Sequence, residues 1–156
     1  MASIKEYTTE SVRRHAAIMF TDIAGYTRMM GEDEDRAFQI LNENKQIHEK
    51  ALKKYQGNLI KELGDGMLVS FDLASEAVQC SIEIQQEAIK KHIPLRVGIH
   101  EGEVIFNEND VWGDGVNIAS RLQESAHPGK IYVSESVYRD IKNKAGIQLS
   151  FVADKH

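Results

Sequence analysis

Asn58-Leu59-Ile60-Lys61-Glu62-Leu63-Gly64-Asp65-Gly66-Met67-Leu68-Val69-Ser70-Phe71 is the stretch that decides the fold. Two apolar-rich runs, Asn58 to Leu63 and Met67 to Phe71, flank Gly64-Asp65-Gly66, and an Asp-Gly pair between such runs is a strong hairpin signal. On the N-terminal side a helix is expected from near Asp33. Glu32 to Asp35 place negative charge at its positive dipole end, Ala37, Ile40, Leu41, Ile47, Ala51 and Leu52 keep helical spacing, and Gly57 stops it. Before it, Ala16-Ala17-Ile18-Met19-Phe20 is a short apolar run ending at Thr21-Asp22, the pattern of a buried strand. On the C-terminal side, Asp72 or Ser75 is placed to cap a second helix, whose stripe includes Ala77, Val78, Ile82 and Ala88. Pro94 resets the chain, and Leu95, Val97 and Ile99 then alternate with Arg96, Gly98 and His100 as another strand.

Strand, helix, hairpin, helix and strand in that order give an α+β fold with a ferredoxin-like β-α-β-β-α-β core, a mostly antiparallel sheet and helices packed on one face. Val104 to Phe106 is expected to pair with the strand at 95–99, and Asp114 to cap a short helix from Gly115 to Ala126. After the turn His127-Pro128-Gly129 come a strand (Lys130 to Val133), a helix (Ser134 to Lys144) and a last strand (Ile147 to Phe151). Residues 1–14 form a lead-in and 15–156 one domain. That domain is expected to lack its last strands, because Leu149 to Val152 reads as a strand and only four residues follow it.

The 156 residues suffice for one domain with a real core. A net charge of −5 without a basic face argues against a nucleic-acid partner. The one cysteine, Cys80, permits no intramolecular disulfide. No apolar run approaches the roughly 20 residues that span a bilayer, so no membrane segment is expected, and the default is a cytoplasmic domain.

Two carboxylates carry the chemistry. Alone, Asp22 reads as a turn or capping aspartate, and Asp65 as the residue a tight hairpin wants. In a β-α-β-β core, however, the first strand commonly lies beside the hairpin, and the two carboxylates then face each other. Like charges that close resist ionisation unless a cation sits between them. Hard oxygen ligands with open positions suit Mg²⁺ shared with substrate phosphates, and paired ions can clamp the oxygens of phosphoryl transfer. In the turn Ile23-Ala24-Gly25-Tyr26-Thr27, Gly25 permits close backbone approach, and a row of turn N–H groups can cradle phosphate. Asn117 and Arg121, four apart on a helix, share one face. They read either as a solvated polar pair or as a guanidinium aimed at phosphate with an amide beside it.

Four ordered blocks then carry a resemblance. Phe20-Thr21-Asp22-Ile23-Ala24-Gly25-Tyr26-Thr27 resembles the first metal-binding segment of class III adenylate/guanylate cyclases of bacterial type, and Lys61-Glu62-Leu63-Gly64-Asp65-Gly66 the second. Leu95-Arg96-Val97-Gly98-Ile99-His100 is similar to the core strand that follows. The run from Asp110 to Arg121 is similar to the segment for base selection and transition-state residues. The resemblance covers about Ala16 to Val137.

This resemblance implies an adenylate cyclase that converts ATP to 3′,5′-cyclic AMP and pyrophosphate by in-line attack of the ribose 3′-hydroxyl. It implies two ions, Mg²⁺ or Mn²⁺, at each site. Asp22, Asp65 and the Ile23 carbonyl would hold metal, while Ala24, Gly25, Tyr26 and Thr27 hold the triphosphate. Lys61 would donate to adenine N1 and Asp110 accept from its exocyclic amine. Asn117 would orient the ribose and Arg121 contact the phosphate in the transition state. The sites are composite, so the partners expected are ATP, a second copy of the chain and a regulatory domain outside it. A guanine reader would want an acceptor at position 61, and a site built for one base leaves groups unpaired with the other. Two features depart from the pattern: Glu103 stands where some relatives carry a phosphate-binding arginine, and Lys155 does not fill the place of a lysine usual on a later strand. They keep open the alternatives of a guanylate cyclase and of an impaired nucleotide-binding or dimerisation module.

Overall fold

The computed structural model describes residues 11–144 and Ile147. Among them β1 (Val12–Ile23), α1 (Tyr26–Glu32), α2 (Glu34–Tyr55), β2 (Asn58–Leu63), β3 (Gly66–Phe71), α3 (Ala74–Lys90), β4 (Leu95–Asn107), β5 (Asp110–Trp112), α4 (Asp114–Ser125), β6 (Ile131–Val133) and α5 (Glu135–Ile141) follow in order. The strands form one sheet, β2-β3-β1-β4-β5, with β6 also paired to β4. Every pairing is antiparallel except that of β4 with β6. The core is therefore the expected β-α-β-β-α-β arrangement of β1, α2, β2, β3, α3 and β4, with the hairpin docked on β1 through β3. Of the last strand expected at Ile147–Phe151 only Ile147 is described, and the rest of it, like Lys155 beyond it, lies outside the described residues.

Alternation along β1 builds two cores. Ala17, Met19 and Ile23 join α2, α3 and α5 on one face, whereas Ala16, Ile18 and Phe20 join Ala119 of α4 and Val111 of β5 on the other. The core helices α2 and α3 thus pack on one face as expected, and α4, outside that core, covers the opposite face. Gly98 makes that possible, since a Cβ there would strike the backbone of α4 at Ala119 and Gln123.

Other local expectations change in detail. β1 begins at Val12, two residues before the expected end of the lead-in. β4 runs unbroken from Leu95 to Asn107, paired along its length with β1, so Val104–Phe106 is its continuation and β5 its hairpin partner. α1 is a helix of about two turns that the sequence pattern did not reveal. Asp33 caps α2, accepting from the Arg36 N–H at 3.1 Å. Gln56 takes the left-handed conformation that ends this helix (φ 60°), while Gly57 serves space, since a Cβ there would sit 2.7 Å from Leu52 Cδ2. Neither Asp72 nor Ser75 caps α3, and Gly113 rather than Asp114 takes the N-cap position of α4. Cys80 is fully buried within the apolar core, and burial pushes its thiol up to about 12, so it is unreactive.

Sequence pattern missed a buried polar triad. His48 of α2 is fully buried; its Nδ1–H donates to the Asn44 carbonyl at 2.8 Å, and its Nε2 accepts from the Thr21 hydroxyl at 2.9 Å. Burial lowers its pKa from 6.5 to about 4. The unfolded chain therefore binds a proton between those values that the folded chain refuses, and stability contributed above pH 6.5 is lost as pH falls toward 4. The loss is expected to reach about 3 kcal/mol. Urea unfolding midpoints at pH 7, 5 and 4 check it: the acid limb should flatten in His48→Gln, and an unchanged limb would reject the assignment.

Candidate active site

The two carboxylates meet as topology requires. Asp22 stands one residue before the end of β1, and Asp65 at the tip of the β2–β3 hairpin accepts from the Ile23 N–H at 2.9 Å. Gly66 lets the hairpin close here, since a Cβ would strike the Thr21 carbonyl and come within 3.1 Å of Asp22 Cβ. Gly64 supplies the left-handed turn residue, with φ 63°.

Arg96 was not singled out from sequence, where it is one polar position of an alternating strand. The β1–β4 register sets it directly across from Asp22. Its Nε donates to Asp22 Oδ1 at 2.8 Å and its Nη2 to Oδ2 at 2.6 Å. The Asp22 carboxylate, first among the causes, and the nearby Asp65 hold the guanidinium more firmly protonated than usual.

Among the described residues, no three or more His, Cys, Asp or Glu side chains gather as a metal cage. Two hard carboxylates beside a backbone turn, with one of them neutralised by a guanidinium, fit a Mg²⁺-type ion that takes its other ligands from carbonyl, water and phosphate oxygens. They do not fit a zinc-like ion that wants three or four nitrogen or sulfur donors.

The turn after β1 changes one expectation. The Ala24 N–H donates to the Pro94 carbonyl at 2.8 Å and is not free for a phosphate. Gly25, with φ 71°, takes the N-cap position of α1, so Tyr26 and Thr27 fall in the first helical turn, where N–H groups lack intrahelical partners. Gly25 and Thr27 are exposed and Tyr26 half-buried.

A second group lies on the α4 face. Lys61 Nζ is 3.2 Å from Asp110 Oδ1, joining strands that are far apart in the sheet order. The Val111 N–H also donates to Asp110 at 2.8 Å; that bond first, and Lys61 second, lowers the Asp110 pKa. Asn117 and Arg121 are both exposed. Gly115, Ala119 and Gln123 are the buried residues of α4. At 3.6 residues per turn, Asn117 and Arg121 lie roughly 160° around the helix from Ala119 on either side, so they point away from the sheet that carries Asp22.

Glu103 stands apart from Asp22. It sits seven β4 residues beyond Arg96, alternates to the other sheet face, and pairs with Arg13 at 3.3 Å. His100, in the middle of β4, bonds to the Ser134 hydroxyl at 2.8 Å, a structural role.

Residues 9–155 match the family of adenylate and guanylate cyclase catalytic domains. The chain is 35% identical over 148 residues to putative adenylate cyclase 3 of Rhizobium meliloti, covering 88% of this chain and 25% of the relative. It is 30% identical over 135 residues to an adenylate cyclase of Streptomyces coelicolor, covering 85% of this chain and 35% of the relative. The chain thus spans a quarter to about a third of the length of these relatives. The crystal structure of an adenylate/guanylate cyclase/hydrolase from Silicibacter pomeroyi superposes with a TM-score of 0.77 at 33% identity, covering 86% of this chain and 83% of that one.

Proposed function

We propose a reaction from the premise that the chain belongs to the family of adenylate and guanylate cyclase catalytic domains: it converts ATP to 3′,5′-cyclic AMP and pyrophosphate in a homodimer with sites at the interface. The observation that carries this reading is the division of polar groups within one chain. Asp22 and Asp65 converge at the hairpin tip, while Asn117 and Arg121 face away from the sheet on which α4 packs. A second copy related by a two-fold axis can bring the outward-facing set of one chain to the carboxylates of the other, and does so twice.

In this reaction Asp22, Asp65 and the Ile23 carbonyl would hold Mg²⁺ or Mn²⁺, two per site, which would supply a lowered pKa for the 3′-hydroxyl and neutralisation of charge on the phosphates. The backbone at Gly25, Tyr26 and Thr27 receives the triphosphate. Lys61 and Asp110, paired with each other at 3.2 Å, are already set as donor beside acceptor, matching adenine N1 beside its 6-amino group. Asn117 orients the ribose, and Arg121 meets the negative charge that builds on the α-phosphate. The 3′-hydroxyl gives its proton to water as its oxygen bonds to the α-phosphorus, the bond from that phosphorus to the oxygen bridging to the β-phosphate breaks, and pyrophosphate leaves.

Base choice is the direct test. Guanine presents an N1–H to Lys61 and a carbonyl to Asp110, a donor against a donor and an acceptor against an acceptor. Purified protein is expected to favour ATP over GTP by at least about tenfold in kcat/KM; faster turnover of GTP would overturn the assignment of Lys61 and Asp110.

Among the described residues no helix is long and apolar enough to cross a membrane. The greater length of the relatives supports a catalytic domain governed by a regulatory domain outside the matched region, and a cytoplasmic place for it is part of the proposal.

A further inference from the structure

Asp22 does not present a bare carboxylate. Arg96 holds both of its oxygens in a two-pronged grip at 2.8 and 2.6 Å, with the two side chains only 28% and 24% exposed. The remaining guanidinium nitrogen, Nη1, donates to the Glu124 carbonyl near the end of α4 at 3.2 Å. The guanidinium is thus fixed from β1 and from α4 at once, and it occupies the in-plane positions of the carboxylate that an incoming cation would need.

We infer that Arg96 is a resident cation on Asp22, a latch that a divalent ion must displace before it can bind there. The inference rests on the reading of Asp22 and Asp65 as the metal-holding pair. With Arg96 in place, the two carboxylates carry one net negative charge between them, so their mutual repulsion is relieved without metal. An ion entering alone removes the Asp22 partner of Arg96 and leaves a dication beside a guanidinium. An ion entering with a polyanion restores the charge balance. Ion and nucleotide uptake are then coupled, each strengthening the other by the same factor, and metal-only binding is weak.

Charge alone would also weaken metal binding, so the test keeps the charge and removes the grip. Mn²⁺ binding to the whole chain without nucleotide is followed by the electron paramagnetic resonance of free Mn²⁺. Lysine cannot form the two-pronged contact, and Arg96→Lys is expected to bind Mn²⁺ at least about fivefold more tightly than wild type. The gain should vanish in Asp22→Asn/Arg96→Lys. Arg96→Gln removes the charge together with the grip, so its gain must be at least as large; a gain below about fivefold there would reject the latch should the lysine variant fail to fold. Equal affinities in wild type and Arg96→Lys, with wild type still forming cyclic AMP in Mn²⁺, would reject the latch and leave the cyclase reading standing. A gain that persists without the Asp22 carboxylate would reject the latch by locating the ion elsewhere. Absence both of Mn²⁺ binding in every variant and of cyclic AMP formation by wild type would reject the cyclase reading, and the latch with it.

Discussion

Cyclic AMP formation by Asp22→Asn is expected to fall at least about 10³-fold below wild type in saturating Mg²⁺ or Mn²⁺, with the loss in kcat. Asparagine keeps the size and one oxygen of the side chain but removes the charge. Asp65 alone would then have to hold cations beside a guanidinium that nothing neutralises. The fold should survive, because Asp22 belongs to neither apolar cluster and lies near the end of β1. Losing the charge-assisted bonds to Arg96 is expected to lower unfolding free energy by no more than about 2 kcal/mol, measurable as a small shift in urea midpoint. Asp65→Asn makes a useful contrast. Asp65 also anchors the Ile23 N–H, so its replacement should disturb the hairpin–β1 junction as well as the charge. Turnover of Asp22→Asn within tenfold of wild type, in a folded dimer, would mean that the reaction does not depend on this carboxylate.

What the sequence made legible follows from the range of the forces involved. The hairpin and Asp65 were readable because Gly64-Asp65-Gly66 specifies a turn within a few residues. The convergence of Asp22 on that turn was readable because a β-α-β-β order leaves few places for the first strand. The grip of Arg96 on Asp22 was not, since it depends on the register of two strands 74 residues apart in sequence, and alternation marks a face without fixing an alignment. β4 looked like two pieces because Glu101, Gly102 and Glu103 interrupt its apolar pattern. Gly98 is there for the passage of α4, whose position on the second face no local pattern encodes. α1 is too short for helical periodicity to declare itself. His48 was hidden because a histidine among Glu, Lys and Gln on α2 resembles a surface residue until Thr21 and Asn44 close around it.

Mixing Asp22→Asn with Arg121→Ala is expected to restore activity that neither variant has alone. Each pure homodimer has two identical defective sites, one kind lacking the carboxylate and the other the guanidinium. In a mixed dimer the two substitutions fall together in one site, and the other site receives intact Asp22 from one chain and intact Arg121 from its partner. Random exchange of subunits at equal concentrations makes about half of the dimers mixed, each with one working site of two, so about a quarter of wild-type activity should appear. The outward direction of Arg121, turned roughly 160° from the buried Ala119 stripe of α4, is the physical reason to expect rescue. If both sets of residues served a site within one chain, mixing would return nothing. The rescue should also depend on total protein concentration, rising as dimers form, and Asp22→Asn mixed with Asp65→Asn should show none, because in their mixed dimer each site still takes both carboxylates from one damaged chain.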